Sequence, residues 1–192
     1  MKQWIRYIFF LLWVTVMVSC RATSERKSAK YYQQNKTQIT EILKLYEKLY
    51  AQQPFSGGYS DKSYKYVTME ILTDTVRYIY SSKGDSKTKL FETIRKFDYD
   101  TTMLKKWSIQ MKDIKCLWLS KATFNVNQKE EIVTFLSFKS VLIDKPFVEN
   151  KYYILLFVPH PINDPAIKAR VKKGDLVKID ELVYFMIGNK FK

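Results

Sequence analysis

Few side chains in this sequence are of the kind that do chemistry, so their spacing is what matters. The single histidine, His160, stands in Val158-Pro159-His160-Pro161, with Asp164 four residues further on. An imidazole with a carboxylate nearby makes two members of a hydrolytic triad. No Gly-x-Ser-x-Gly turn supplies an exposed nucleophile for it. A lone histidine between two prolines reads first as a structural or solvent-facing group, and His160 is kept as the one catalytic candidate. One histidine also rules out a His-rich zinc site, and there is no Cys-x-x-Cys pair, phosphate-binding P-loop or dinucleotide glycine pattern. No metal and no cofactor is therefore expected.

Other chemical spacings have plainer explanations. Ser-x-x-Lys, in which a lysine can activate a serine, occurs at Ser24–Lys27 in a polar stretch and at Ser86–Lys89 at the start of a Lys-rich helix. Asp98-Tyr99-Asp100 offers two carboxylates to a hard cation, but the glycine and glutamate that complete a calcium loop do not follow. Helix capping is the reading preferred for these aspartates. Glu130-Glu131 and Asp180-Glu181 are acid pairs without a visible partner. Glycoside hydrolysis needs only two acids brought together by the fold, so an exported hydrolase using such carboxylates or His160 stands as the alternative to a binding protein.

In the body of the chain, charge is the remaining positive signal. The 192 residues carry a formal net charge of +14. Lys168, Arg170, Lys172 and Lys173 cluster in one segment, with Lys190 and Lys192 on the tail. Such a patch attracts anionic lipid, an envelope polymer or an acidic partner protein, and equally serves as a solvated helix end whose cations favour the helix dipole. Of the two cysteines, Cys116 sits in the apolar run Lys115-Cys116-Leu117-Trp118-Leu119 and reads as an inert buried thiol. That leaves Cys20.

Residues 1–20 run MKQWIRYIFFLLWVTVMVSC. Lys2 and Arg6 make a positive start, and Tyr7 to Val18 form an uncharged apolar run of 12 residues. A helix needs about 20 to span a bilayer, so this run suits the apolar part of an export signal. Met17, Val18, Ser19 and Cys20 then follow in order. This segment resembles the lipobox of bacterial lipoproteins, with Met17 where leucine is preferred. The resemblance implies transfer of diacylglycerol to the Cys20 sulfur, cleavage before Cys20, and acylation, such as by palmitate, of the new amino group. Several acyl chains on one residue anchor firmly where one would not. It also implies a cell-envelope location. Arg21, in place of the aspartate that retains enterobacterial lipoproteins at the inner membrane, favours the periplasmic side of the outer membrane in a Gram-negative cell. Loss of Lys2 and Arg6 with the signal leaves a net charge of +12, from +14 less two.

The elements that must position these groups begin, on this reading, after a tether. Residues 20–35 are polar and lack apolar periodicity, which predicts a flexible linker with a reach of about 20 Å. One domain is expected over 36–192. Ile39, Ile42, Leu43, Tyr46, Leu49 and Tyr50 mark one face of a helix that Pro54 ends. Phe55 to Tyr59, with Gly57-Gly58, reads as a loose loop. Strands are expected over 64–71 and 76–80, 116–126, 132–142, 152–158 and 182–187. Helices are expected around 90–97 and over 165–173, where Asp164, Pro165 and Gly174 form a complete start and stop signature. Residues 100–112 fit a helix through Met103, Leu104, Trp107 and Met111 and equally a strand through Trp107, Ile109 and Met111; the helix is preferred. The sum is an α+β fold with a mainly antiparallel sheet and helices packed on one face. A helix before a run of strands resembles the cone-shaped domains of the nuclear transport factor 2-like type, which enclose a pocket; the helix at 165–173 departs from that pattern. The expected function is a membrane-anchored, non-enzymatic binding module for a protein partner, an envelope polymer or a small ligand. An inhibitor- or immunity-type lipoprotein is a further alternative, and nucleic acid is not an expected partner.

Overall fold

A helix that carries Ser28, Tyr32, Ile39, Ile42, Tyr46 and Leu49 in steps of three, four or seven has one continuous stripe to bury. All six are at most 5% exposed. They lie on α1, Lys2–Gln52. The computed structural model describes the backbone of residues 2–59, 62–83, 86–126, 129–141 and 150–188 and the side chains of 23–59, 62–83, 90, 92–123, 129–140 and 150–188. The expected tether is therefore corrected over its described part. Residues 23–35 are helical, and the packed body begins at Ser24, not Lys36. Ser24 Oγ lies 2.7 Å from the Tyr153 hydroxyl, Tyr31 stacks on Phe138 with ring centroids 4.0 Å apart, and the Tyr32 hydroxyl donates to Asp180 at 3.0 Å. Tyrosine rings supply the apolar surface that the polar composition conceals.

Beyond Pro54 the described residues build eight strands: β1 Phe55–Tyr59, β2 Val67–Leu72, β3 Arg77–Ser81, β4 Trp118–Val126, β5 Lys129–Val141, β6 Lys151–Phe157, β7 Val177–Asp180 and β8 Val183–Gly188. They form one sheet in the order β3-β2-β1-β4-β5-β6-β8-β7, with every pairing antiparallel. The segment read as a loose loop is β1, buried along its whole length between β2 and β4. Its glycines are there for closeness. A Cβ on Gly58 would stand 2.0 Å from the Leu117 carbonyl oxygen and 2.8 Å from the Trp118 Cα.

Three further helices lie among the described residues: α2 Ser86–Lys96, α3 Thr101–Asp113 and α4 Pro165–Lys173. The α+β class and the antiparallel sheet are as expected, with α1 and α3 on one face. Met69, Ile71, Leu119, Leu136, Leu155 and Phe185 point to that face and meet the α1 stripe and Trp107 and Met111 of α3. Each such burial is worth about 1.5–3 kcal/mol. The alternate residues Val133, Phe135, Ile154, Leu156 and Tyr184 point the other way and pack under Ile167 of α4. So α4 covers part of the reverse face. Its ends follow the predicted signature: Asp164 accepts from the Ala166 and Ile167 amides, and Gly174 closes it at φ +77°.

Candidate functional site

The sequence-derived candidates separate in space. His160 Nε2 lies 3.0 Å from Glu131 Oε1. Sheet register explains the pair, since Thr134 faces Phe157 and Phe135 faces Leu156, so three further steps bring Glu131 opposite His160. The histidine thus meets one member of the Glu130-Glu131 pair and not Asp164, which is occupied as the cap of α4. Asp100 caps α3, accepting from the Met103 amide at 2.8 Å. Asp180 is tied to α1: Lys36 Nζ lies 2.6 Å from its Oδ2, and with the Tyr32 hydroxyl and the Glu181 amide it holds the carboxyl down at about 2. Cys116 is fully buried, and burial pushes its thiol far up, which fits an inert group.

The patch residues Lys168, Arg170, Lys172 and Lys173 all lie on α4, on the reverse face of the sheet from α1. Arg170 borders a cavity of about 410 Å³ together with Arg77, Lys121 and Glu70. The side chains of Cys20 and of Ser86 and Lys89, together with Lys190 and Lys192, lie outside the described residues. Among the described residues no three histidine, cysteine or carboxylate groups converge as metal ligands. Nor is any helix among them long and apolar enough to cross a membrane.

Two larger cavities were not foreseen from the sequence. One, of about 710 Å³, opens between α2, α3 and β2 over Met69, Leu90, Ile94 and Leu104, with Arg95 and Lys105 at its rim. The other, of about 720 Å³, lies beside the part of α1 that was expected to be a tether. Tyr31, Tyr64 and Phe138 form its aromatic wall, and Lys27, Lys62, Lys115 and Lys139 bring cations to it against the single carboxylate of Asp113. Four charges less one leave +3. None of these four lysines forms an ion pair within the described residues.

Each lysine is delivered by a different element. Lys27 lies one turn before Tyr31 on α1. Lys62 sits in the connection from β1 to β2, and Lys115 in the turn from α3 to β4. Lys139 follows a register irregularity in β5 between Ser137 and Lys139. A bulge there lets two successive side chains reach the α1 side. Phe138 stacks on Tyr31, and Lys139 Nζ lies 5.5 Å from the Tyr153 ring centroid. Among the described residues three non-glycine positions have positive φ, and two of them, Tyr64 at +53° and Lys115 at +56°, line this cavity. The Tyr64 hydroxyl donates to the Lys115 carbonyl at 3.0 Å, and burial raises that phenol to about 12, so it stays protonated. Lys115 owes its left-handed conformation to the end of α3, where its amide donates to the Lys112 carbonyl at 3.0 Å and the Cys116 amide to the Met111 carbonyl at 2.8 Å.

No family model, no curated protein and no solved structure matches the chain.

Proposed function

We propose that this chain is an exported bacterial lipoprotein, cut before Cys20 and held in the cell envelope by acyl chains on that cysteine, and that its body is a non-enzymatic binding module. One observation carries the anchor: a positive start, a 12-residue apolar run, Ser19 and Cys20 fall in the register an export signal requires. The binding element is the basic cavity beside α1. Its support is the convergence of four lysines from four elements on an aromatic wall. Pockets of a few hundred cubic ångströms with an apolar wall and a few convergent polar groups are the usual form of a ligand site. Arg21 favours the periplasmic side of the outer membrane where the host is Gram-negative.

The anchor is tested in cells fed a labelled fatty acid. Cys20→Ser is expected to abolish incorporation of label and to leave an uncut precursor or release the protein. Unchanged labelling would overturn the anchor.

A second reading is favoured by one contact. His160 and Glu131 form a 3.0 Å imidazole–carboxylate pair at the surface, which is the base-and-orienter half of a hydrolase. On the binding-module reading, His160→Gln and Glu131→Gln leave any turnover of envelope polymers at the level of the parent protein. A drop of tenfold or more in both would establish the hydrolase instead.

A further inference from the structure

We infer that the basic cavity receives the phosphodiester headgroup of an anionic, hydroxyl-bearing membrane lipid, such as phosphatidylglycerol, from the same leaflet that holds Cys20. The inference rests on the lipid-anchored reading above and names the ligand class of its site. Two observations carry it.

The first is position. Lys27 follows Cys20 by seven residues on one continuous helix. At about 1.5 Å per residue that is about 10 Å along the axis, comparable with the screening length at 0.1 M salt. No flexible spacer separates anchor from body over the described residues, because Ser24 already bonds to Tyr153 and Ser28 is fully buried. Acyl chains on Cys20 therefore bring the cavity down to the headgroup layer.

The second is chemistry. Lysine ammoniums are compact point charges with three rotatable donors, suited to meeting a phosphate oxygen from several directions. The +3 balance of the wall suits one phosphodiester with charge to spare, and Asp113 supplies an acceptor for headgroup hydroxyls. Tyr31, Tyr64 and Phe138 offer an apolar wall to the glycerol and the first carbons of the chains. A free inorganic phosphate has no use for that wall.

The test uses the full chain in nanodiscs of phosphatidylcholine, with or without one third phosphatidylglycerol, followed by amide hydrogen exchange. The expected result is exchange at least about tenfold slower at residues 62–64 and 113–117 in the anionic discs. This protection is lost in a Lys27→Gln, Lys62→Gln, Lys115→Gln, Lys139→Gln variant whose circular dichroism matches the parent. A contact worth about 1 kcal/mol per lysine near a charged surface corresponds to about fivefold each. Lys115→Gly gives a second check, with slower unfolding but weaker protection. Equal protection in pure phosphatidylcholine, or protection retained by the four-lysine variant, would overturn the inference. Glycerol phosphate added to phosphatidylcholine discs is expected to have no effect; if it reproduces the protection, the ligand is a free phosphate ester and the membrane source is wrong. Mass spectrometry of the same sample reads the acyl groups on Cys20. Unacylated protein that is still protected would refute the anchor and leave the cavity assignment standing.

Discussion

Asp180 concentrates more electrostatic work than any other described carboxylate. It accepts from Lys36 and Tyr32 of α1 and from the Glu181 amide next to it, and so ties the long helix to the edge strand β7. These partners hold it at about 2, below its ordinary 3.8. A carboxyl lowered in the folded state contributes stability above its unfolded value, and that contribution fades as pH falls through the folded one. Asp180→Asn is therefore expected to lower the melting temperature at pH 7. The gap to the parent should narrow between about pH 4 and 2 and close below that. A gap that persists at pH 1.5 would mean that the carboxylate charge is not what matters. Neither the pair at His160 nor the depression at Asp180 was legible from residue types, because their partners stand 29 and 144 positions away.

At the scale of the element, the most demanding position is Gly58 in β1. The strand passes so close to β4 that even a methyl group would overlap the Leu117 carbonyl. The obstacle is backbone, which cannot swing aside as a side chain can. Gly58→Ala is expected to cost on the order of 3 kcal/mol, read as a lowered denaturant midpoint. A change below 0.5 kcal/mol would show that β1 and β4 are free to separate. In sequence, Gly57-Gly58 after Pro54 reads as a turn, and only the two flanking strands reveal a tight central one. By contrast α4 was readable to the residue, from 165 to 173, since its cap, its first proline and its closing glycine act within the segment itself. The same locality explains α3, where Asp100 caps Thr101–Asp113.

At the scale of the molecule, the decisive finding is where the body begins. Tyr31 and Tyr32 pack against Phe138 and Phe157, on β5 and β6. A form that starts at residue 36 is expected to lose at least about 3 kcal/mol of stability relative to one that starts at residue 20, since two aromatic rings leave the core. A flexible tether would leave the two forms equal in thermal melts. This placement also changes what lipid on Cys20 would do. A body hung on 15 loose residues would sample many orientations. On the proposed anchor, a body continuous with its helix would keep one face, with the basic cavity, toward the leaflet.

By itself the sequence determined the elements whose signals are local. These are the amphipathic stripe of α1 from Ile39 onward, the capped α4, the apolar runs of β5, β6 and β8, and from these the α+β class. It also marked Cys20 as the residue of interest, through a register of charge, apolar length and small residue that needs no folded partner. Only the tertiary structure decided which charges gather. The α4 lysines are conspicuous because they are neighbours in sequence, yet they lie along the reverse face. Lys27, Lys62, Lys115 and Lys139 are spread over more than a hundred residues and meet at one cavity, because a helix, a connection, a helix-closing turn and a bulged strand converge there. Periodicity and capping act over a few residues, whereas a cavity is defined by strand pairing and helix packing across the whole chain.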